Sequence, residues 1–166
     1  MSQPLPAFRV GLGYDIHPLV AGRPCILGGV SIPSPVGPEG HSDADVLLHA
    51  VADAILGAAG LRDIGHYFPN TDASLKGLDS AVIVKKAVAE AKAQGGWVVG
   101  NVDIVIIGER PKVMAHVEAM KAKVAEIIGI SASQVGIKAT TNEGMDSIGQ
   151  GKALAAQAIC LVFKGN

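Results

Sequence analysis

Aromatic residues are scarce in this chain of 166 residues, in which only six positions are Phe, Tyr or Trp. Hydrophobic residues nevertheless make up 49% of the sequence, so the core must be built mainly from Val, Ile, Leu and Ala. The length suits one domain with a core of its own and is short for two. We therefore treat residues 1–166 as a single domain and expect residues 1–7 to be flexible.

A large excess of charge is also absent, since the formal net charge at pH 7 is -1. Proteins that bind nucleic acid or anionic membranes through electrostatics carry a basic surface patch. We therefore expect neither a nucleic acid nor a membrane as partner. Any binding of phosphate groups must come from local backbone donors, a few cations or a metal ion.

The two cysteines, Cys25 and Cys160, are far apart in sequence and lack the spacing of metal ligands. We interpret them as buried free thiols in a reducing compartment, with a disulfide as the alternative. No apolar run approaches the ~18 residues of a membrane helix, and the N-terminal residues lack the apolar stretch of a signal peptide. These features predict a cytoplasmic protein, as in bacteria, with a processed protein of the plastid stroma as the alternative.

Short apolar and alternating runs predict strands at Phe8–Tyr14, Trp97–Gly108, Val135–Thr141 and, in the less clear tail, Lys152–Phe163. Gly28-Gly29 lies between two short apolar runs and predicts a hairpin over residues 25–32. The glycines and prolines of Ser34–Gly40 predict a loop.

Helical periodicity predicts three helices, which run from Ser42 as N-cap to Gly60, from Ser80 to Ala93, and from Pro111 to Gly129. Asp45 follows Ser42 by three residues, as in a capping box. Leu61–Asp79 is expected to be irregular. This order of elements predicts an α+β domain with a mixed β-sheet and helices packed mainly on one face.

Asp15, His17 and His49 form the most informative pattern in the sequence. Residues two apart on a strand project to the same face, so Asp15 and His17 can point at a shared centre. With His49 as third ligand, one carboxylate and two imidazoles suit a zinc-like ion and leave a fourth position open for a substrate. The alternative is an ordinary Asp-x-His pair at the surface.

Four further polar segments could carry chemistry. His41-Ser42, at a helix N-terminus, could bind an anion, and the loop segments Asp63–His66 and Phe68–Asp72 could line a binding site. Gly108–Lys112 could hold a base or a phosphate between strand and helix. Lys138–Glu143 could contact phosphate oxygens and, through its carboxylate, a hard cation. Taken singly, the default interpretation of each is an ordinary loop, turn or strand end.

Seven motifs match one known family in order and spacing, and they cover the chain from Arg9 to about Phe163. They are Gly-x-Gly-x-Asp-x-His (11–17), His-Ser-Asp-Ala-Asp-Val-Leu-Leu-His (41–49), Ala-Ala-Gly-Leu-Arg-Asp-Ile-Gly (58–65), Phe-Pro-Asn-Thr-Asp (68–72), Gly-Asn-Val-Asp (100–103), Arg-Pro-Lys (110–112) and Lys-Ala-Thr-Thr (138–141). On these motifs the chain resembles the 2-C-methyl-D-erythritol 2,4-cyclodiphosphate synthase family.

The resemblance implies a metal-dependent cyclisation in the non-mevalonate route to isoprenoid precursors. In this family 4-diphosphocytidyl-2-C-methyl-D-erythritol 2-phosphate closes to the 2,4-cyclodiphosphate and releases CMP, which is a phosphorus–oxygen lyase reaction. The family pattern assigns zinc, or another divalent transition metal, to Asp15, His17 and His49. It assigns magnesium or manganese, held together with the substrate diphosphate, to Glu143.

The resemblance also implies which residues contact the substrate. His41 and Thr141 are expected to stabilise the transition state. The expected contacts near the metal and phosphates are Asp15, Ile16, His17, His41 and Ser42. Those of the methylerythritol part are Asp63, Ile64, Gly65, Phe68, Pro69, Asn70, Thr71 and Asp72. Those of the cytidine and diphosphate are Gly108, Glu109, Arg110, Pro111, Lys112, Val113, Met114, Thr140, Thr141, Asn142 and Glu143. The family is a homotrimer with sites between subunits, so the nucleotide pocket is expected to come from a neighbouring copy.

The chain departs from a common form of the family after Glu143. Many members have Gly-Phe-Thr-Gly-Arg where this sequence has Asp-Ser-Ile-Gly-Gln at positions 146–150. Ser147 and Gln150 thus replace an aromatic residue and an arginine that lie near the substrate phosphates and the central channel of the trimer. Because glutamine carries no charge, we expect anion binding in that channel to be weaker here.

Two other classes of function must be weighed against a cyclase. A zinc hydrolase would use the Asp-His-His site to activate water and would need neither Glu143 nor a nucleotide loop. A metal-stabilised scaffold would use the metal only for structure, but closed structural zinc sites usually have four protein ligands. The cyclase is the interpretation that uses all of the motifs.

Overall fold

The computed structural model describes residues 7–165. Residues 1–7 were expected to be flexible. All of them except Ala7 lie outside the described residues. Within the described part of the chain, none of the helices combines the length and apolar character needed to cross a membrane.

Seven strands lie within the described residues: β1 (Phe8–Ala21), β2 (Cys25–Leu27), β3 (Val30–Ile32), β4 (Val36–Pro38), β5 (Trp97–Ile107), β6 (Val135–Thr140) and β7 (Ala153–Lys164). Five of them form a sheet in the order β4-β1-β7-β5-β6, while β2 and β3 form the predicted hairpin. β5 and β6 pair in parallel and the other neighbours pair antiparallel, which confirms the predicted mixed sheet. The tail is a strand, β7, and it lies in the centre of the sheet.

The helices are α1 (Val46–Ala59), α2 (Ile64–Tyr67), α3 (Ser80–Gly95) and α4 (Val117–Ile128). α1 packs against β1 and β7, with α3 beside it. Glycines in β1 make this close packing possible, because a Cβ at Gly13 would lie 1.9 Å from the carbonyl oxygen of Ala50 and one at Gly11 would lie 2.0 Å from that of Ala54. The strand that carries Asp15 and His17 is thereby pressed directly onto the helix that carries His49.

The core between the sheet and the helices is aliphatic, as the composition predicted. Its largest fully buried side chains include Leu47, Leu48 and Ile55 of α1, and Ile104 of β5. Cys25 and Cys160 are buried free thiols, as predicted. Burial raises the thiol pKa of Cys160 to about 12, so it behaves as an apolar side chain.

The opposite face of the sheet is apolar and exposed, and we call it the open sheet face. It comprises Phe8, Val10, Leu12, Tyr14 and Ile16 of β1 with Ile159 and Phe163 of β7. Val10 and Leu12 are each 59% exposed. The helices cover the other face, in agreement with the predicted arrangement.

The first predicted helix begins later than expected. Its N-cap is Asp45, whose side chain accepts a hydrogen bond from the backbone N–H of Leu48, and not Ser42. Ala44 has a left-handed backbone with φ of 58°, so the chain changes direction before the helix starts. His41 and Ser42 therefore lie in the loop before α1 and not at its N-terminus. The predicted end of the helix at Gly60 is confirmed.

The third predicted helix also begins later, because Met114–His116 forms a 3-10 turn and α4 starts only at Val117. The residues after Pro111 instead border a cavity, and Arg110 Nε donates a hydrogen bond to the carbonyl oxygen of Gly151.

Two segments predicted to be irregular contain short regular elements. The predicted loop 34–40 contains β4, which pairs with the end of β1, and the polar segment 61–79 contains α2 and a 3-10 turn at Ala73–Leu75. β1 itself continues to Ala21, beyond the predicted end at Tyr14, because its partners β7 and β4 extend the pairing. Asp15 and His17 therefore lie on a strand, as their proposed role as a pair required.

Candidate functional site

Asp15, His17 and His49 lie together at one end of α1. Asp15 Oδ2 is 2.9 Å from His17 Nε2 and 2.8 Å from His49 Nδ1, and the two imidazole nitrogens are 3.3 Å apart. One donor atom from each residue falls within 4.8 Å of the others. The grouping predicted from the sequence is therefore present.

The backbone explains how the three side chains converge. Asp15 and His17 share one face of β1 with Gly13, the face pressed onto α1, while Ile16 between them points to the open sheet face. His49 lies in the first turn of α1 and is 7% exposed. The cluster is held by regular secondary structure on both sides, so its donor atoms do not depend on a flexible loop.

The carboxylate of Asp15 is stabilised in its charged form. Burial by itself would raise the pKa of Asp15, but the hydrogen bonds and charges of His17 and His49 together lower it to about 2. Burial would lower the pKa of His17, yet Asp15 and a backbone hydrogen bond with Glu39 outweigh this effect and raise it. A compact cluster of one carboxylate and two imidazoles therefore carries one firmly ionised acceptor.

These donors fit a divalent transition metal. One carboxylate oxygen and two imidazole nitrogens form a ligand set typical of zinc, and three protein ligands are usual where a fourth position takes water or substrate. The side chain of Asp15 is 26% exposed, and the cluster lines a cavity. One side of the cluster is thus open to a small molecule.

The cavity beside the cluster has a volume of about 460 Å³. His41 and Ser42 border it from the loop before α1, and Asp63, Ile64, Gly65, Phe68 and Asn70 border it from the opposite segment. The structure thus brings the predicted metal ligands and most of the predicted methylerythritol residues into one cavity.

Other predicted residues of the same group do not line the cavity. Pro69, Thr71 and Asp72 lie outside its lining, although the carbonyl oxygen of Asp72 is 2.9 Å from His41 Nε2. The carboxylate of Asp72 accepts hydrogen bonds from Ser74 and closes the 3-10 turn. Asp72 therefore contacts His41 through its backbone and shapes the loop through its side chain.

A second, smaller cavity of about 170 Å³ lies at the ends of β5 and β6. Its lining includes seven residues predicted for the cytidine and diphosphate: Gly108, Pro111, Lys112, Val113, Met114, Thr140 and Thr141. The predicted contacts Glu109, Arg110, Asn142 and Glu143 are not part of the lining. The two cavities share no lining residue, so within one chain His41 and Thr141 border different cavities.

Glu143 lies in the tight turn after β6. Its backbone is left-handed, with φ of 48°, which is uncommon for a residue other than glycine. Its N–H donates to the hydroxyl of Thr141 at 3.3 Å. The turn is closed by Asp146, which accepts hydrogen bonds from Asn142 and from the N–H of Gly149. Ser147 and Gln150 are exposed on it.

Sequence reasoning missed several residues around the cluster. Asp53 lies one turn after His49, borders the larger cavity, and accepts a hydrogen bond from the N–H of Ile64 at 2.8 Å. Ser80 Oγ is 2.9 Å from His49 Nε2, and Asp43 is bonded to Ser80. The spacing of four residues between His49 and Asp53 was a usable signal for Asp53, whereas nothing local in the sequence marked Asp43 and Ser80.

Comparison with known proteins agrees with this geometry. A 2-C-methyl-D-erythritol 2,4-cyclodiphosphate synthase of a Synechococcus strain is 53% identical over 156 residues, which is 94% of this chain and 99% of the relative. A solved synthase of that name, in a form bound to CDP, has a TM-score of 0.85 and 36% identity, covering 93% of this chain and 99% of its own.

A CDP complex from Plasmodium falciparum has a TM-score of 0.84 at 32% identity and covers 96% of this chain and 98% of its own. Both solved structures share the fold of this chain, and at 36% and 32% identity their sequences are similar to it as well. The profile of the YgbB family matches residues 8–163 of this chain, and so the chain belongs to the YgbB family.

Proposed function

We propose that this protein converts 4-diphosphocytidyl-2-C-methyl-D-erythritol 2-phosphate into 2-C-methyl-D-erythritol 2,4-cyclodiphosphate and CMP. The observation that carries the proposal is the Asp15-His17-His49 cluster on the wall of a cavity, in a chain that belongs to the YgbB family. A 53% identical relative, matched over almost its whole length, carries the name of this synthase. The reaction places the enzyme among the phosphorus–oxygen lyases of the non-mevalonate isoprenoid pathway.

The reaction needs no nucleophile from the protein. An oxygen of the substrate's own 2-phosphate attacks the β-phosphorus, a new P–O bond closes the ring, and the bond to the bridging oxygen breaks to release CMP. Catalysis then consists of positioning the phosphates and stabilising the charge that develops between them. Polar groups around two cavities suit this task better than a single reactive side chain would.

Asp15, His17 and His49 would hold a zinc ion or another divalent transition metal. When bound, such an ion supplies charge that polarises a phosphate oxygen. Glu143 would hold a magnesium or manganese ion on the substrate diphosphate, since a carboxylate is a ligand that such ions prefer. His41 lies at the border of the larger cavity, and we assign it and Thr141 to stabilisation of the transition state.

The larger cavity would take the methylerythritol part of the substrate. Asp63, Ile64 and Gly65 line it, and Asp63 contributes a carboxylate. Asp53 fixes this segment by accepting a hydrogen bond from the N–H of Ile64. Phe68 and Asn70 add an apolar and a polar surface. We assign the remaining predicted residues of this group, Pro69, Thr71 and Asp72, to the shape of the loop.

The smaller cavity would take the cytidine. Two solved relatives carry CDP. The lining residues Gly108, Pro111–Met114, Thr140 and Thr141 include the Lys112 ammonium and two hydroxyls. Neither cavity alone contains all of the proposed catalytic groups. This division supports an active site in which the two cavities come from different copies of the chain.

A homotrimer would bring the two cavities together. The open sheet face supports such an assembly, because a continuous row of exposed Phe8, Val10, Leu12 and Tyr14 side chains is an unusual surface for an isolated monomer. A threefold arrangement buries this face on every copy. The apolar row then supplies the contact between copies.

Phosphorus NMR on purified protein tests the proposed reaction. With the cytidine diphosphate substrate and added Zn²⁺ and Mg²⁺, we expect stoichiometric signals of CMP and the cyclic diphosphate, and no turnover after chelation. Release of inorganic phosphate without CMP would instead favour a zinc hydrolase. Full turnover in a chelator that removes all bound metal would contradict the proposed metal dependence.

A further inference from the structure

The two ring nitrogens of His49 have different neighbours. Nδ1 faces Asp15 and His17, whereas Nε2 lies 2.9 Å from Ser80 Oγ and 3.1 Å from Ser42 Oγ. A neutral imidazole carries its hydrogen on one nitrogen and a lone pair on the other. The nitrogen that keeps the hydrogen therefore decides whether His49 can offer a lone pair to the cluster.

A carboxylate behind Ser80 determines how its hydroxyl is oriented. Ser80 Oγ is 2.5 Å from Asp43 Oδ1, and the N–H of Ser80 donates to Oδ2 of the same carboxylate at 3.0 Å. Because an ionised carboxylate can only accept, the hydroxyl hydrogen of Ser80 points to Asp43. The oxygen of Ser80 is then left with its lone pairs, which can accept a hydrogen bond from an Nε2–H of His49 but cannot donate one to it.

Ser42 differs from Ser80 in the partner of its hydroxyl and in its exposure to the larger cavity. Its hydroxyl accepts a hydrogen bond from the N–H of Ala44 at 3.1 Å, and its side chain borders the larger cavity. Ser80 is fully buried and does not border the cavity. The contact between Ser80 and His49 is therefore shielded from water, while the Ser42 hydroxyl remains available to whatever fills the cavity.

The backbone before α1 has an unusual conformation that serves this contact. The left-handed Ala44 separates two aspartates whose side chains reach different elements. Asp43 reaches Ser80 at the start of α3, and Asp45 accepts hydrogen bonds from the N–H groups of Gly28 and Gly29 in the hairpin turn. One short loop thus ties α1, α3 and the hairpin together around His49.

We propose that Ser80, oriented by Asp43, is a positioning residue of the metal centre that keeps the hydrogen of His49 on Nε2 and leaves the lone pair of Nδ1 for the metal. The inference rests on the proposed function only in requiring that the cluster binds a metal. His17 is oriented by a different device, since it hydrogen-bonds the backbone of Glu39 and presents Nε2 to the cluster. The two histidines therefore use opposite nitrogens, and α3 orients only His49.

Zinc affinity, measured by competition with a chromogenic chelator, tests the inference without reference to turnover. We expect Ser80→Ala to lower the affinity by about 10- to 100-fold, the range typical of lost partners of metal-bound histidines. Ser80→Thr, which keeps the hydroxyl, should recover most of it. Ser74→Ala is the matched control, because Ser74 makes the same kind of serine–aspartate bond with Asp72 away from any ring of the cluster.

The outcomes separate this inference from the proposed metal centre. A wild-type protein that does not bind zinc would overturn both. A wild-type protein that binds zinc, together with a folded Ser80→Ala that binds it within twofold of wild type, would overturn the role of Ser80 alone. If Ser80→Ala does not fold, Asp43→Asn keeps the hydroxyl and replaces the carboxylate behind it with a neutral amide that has only one accepting oxygen. That variant should bind zinc several-fold more weakly, and unchanged affinity would again reject the inference.

Nitrogen-15 NMR of histidine-labelled, zinc-loaded protein gives an independent signature. In the wild type we expect a slowly exchanging Nε2–H signal for His49 and an Nδ1–H signal for His17. Ser80→Ala should shift the His49 signal and speed its exchange with water, while the His17 signal stays unchanged as the internal control. A His49 signal that is the same in both proteins would show that Ser80 does not hold the ring.

Discussion

Asp15 Oδ2 and His49 Nδ1 are 2.8 Å apart, although 34 positions separate the two residues in the sequence. The contact exists because β1 has glycines at the two positions where α1 crosses it most closely. The same feature that permits the helix and strand to pack thus brings the carboxylate to the imidazole. The position of the Asp15-His17-His49 cluster is consequently a property of the core and not of a loop.

Removing one donor of the cluster should strongly weaken metal binding without unfolding the protein. We expect Asp15→Ala and His49→Ala each to weaken zinc binding by about 100-fold or more, beyond the losses seen for indirect partners of a metal, and to stop CMP release. Calorimetric zinc titration and phosphorus NMR measure the two effects.

Asp63→Asn is the control for this experiment, since Asp63 borders the same cavity but lies outside the donor cluster. It should bind zinc with wild-type affinity even if turnover falls. An Asp15→Ala protein that retains both tight zinc binding and turnover would show that the cluster is not the metal centre.

Two inactive variants should restore activity in mixed trimers if the two cavities serve one site from different chains. Asp15→Ala removes a group of the larger cavity and Lys112→Ala removes a group of the smaller one. After the chains are mixed 1:1 and reassembled at random, about a quarter of the sites combine both intact halves, so about a quarter of the wild-type activity should return.

A mixture of Asp15→Ala with His49→Ala is the matched control, because both changes fall in the same half-site. It should stay inactive however well the chains exchange. Native mass spectrometry confirms that mixed trimers have formed. Mixed trimers of the first pair without recovered activity would mean that each site is built from a single chain.

The sequence sufficed to predict the elements that have strong local signals. The alternation in β1, the β-branched run in β5 and the glycine at position 60 each predicted an element or an end that the structure confirms. Asp15 and His17 could be placed on one face because a strand has a period of two. His49 was added as third ligand because one carboxylate and two imidazoles suit a zinc-like ion, and the family pattern then assigned the same three residues.

The errors fall where tertiary contacts decide the local structure. Ser42 was predicted as N-cap because serine is among the residues preferred at that position. Its hydroxyl instead contacts His49, and Asp45 caps the helix. β4 could not be predicted, because two of its three residues, Gly37 and Pro38, are among the least favourable in strands. It forms because it pairs with the end of β1. Ser80 and Asp43 contact one another across 37 positions, a distance over which no local pattern operates.

The stability of the protein should respond to the titration of Asp45. Burial raises the pKa of this carboxyl from 3.8 to about 6, although three backbone N–H groups that donate to it oppose the shift. The folded state therefore binds more protons than the unfolded state between about pH 4 and pH 6, so this contribution to stability grows as the pH falls and is lost above pH 6. Between pH 7 and pH 4 it amounts to about 2 kcal/mol.

The raised pKa of His17 changes stability in the same direction in metal-free protein, so wild-type data alone cannot isolate Asp45. Urea unfolding of metal-free wild type and Asp45→Asn at several pH values separates them, because the contribution of His17 cancels in the difference. The stability of wild type relative to Asp45→Asn should increase from pH 7 to pH 4. A difference that is constant over this range would contradict a raised pKa at Asp45.

Because β1 packs closely on α1, two glycine-to-alanine substitutions should change the stability of the fold in opposite directions. A Cβ at Gly13 would lie 1.9 Å from the carbonyl oxygen of Ala50, a contact that neither backbone can relieve without moving. We expect Gly13→Ala to destabilise the fold by about 3 kcal/mol or more, at the upper end for overpacking, and to weaken zinc binding because β1 carries two of the three donors.

Gly57→Ala is the matched test on the facing helix. Its new Cβ would meet only the carbonyl oxygen of Leu12, at an ordinary contact distance of 3.8 Å, and alanine is the better residue inside a helix. We expect this variant to be more stable than wild type by about 0.5–1 kcal/mol, with zinc affinity unchanged. Thermal unfolding and zinc titration of both variants decide the matter: equal stabilities for the two would mean that β1 and α1 are not packed as closely as the glycines of β1 indicate.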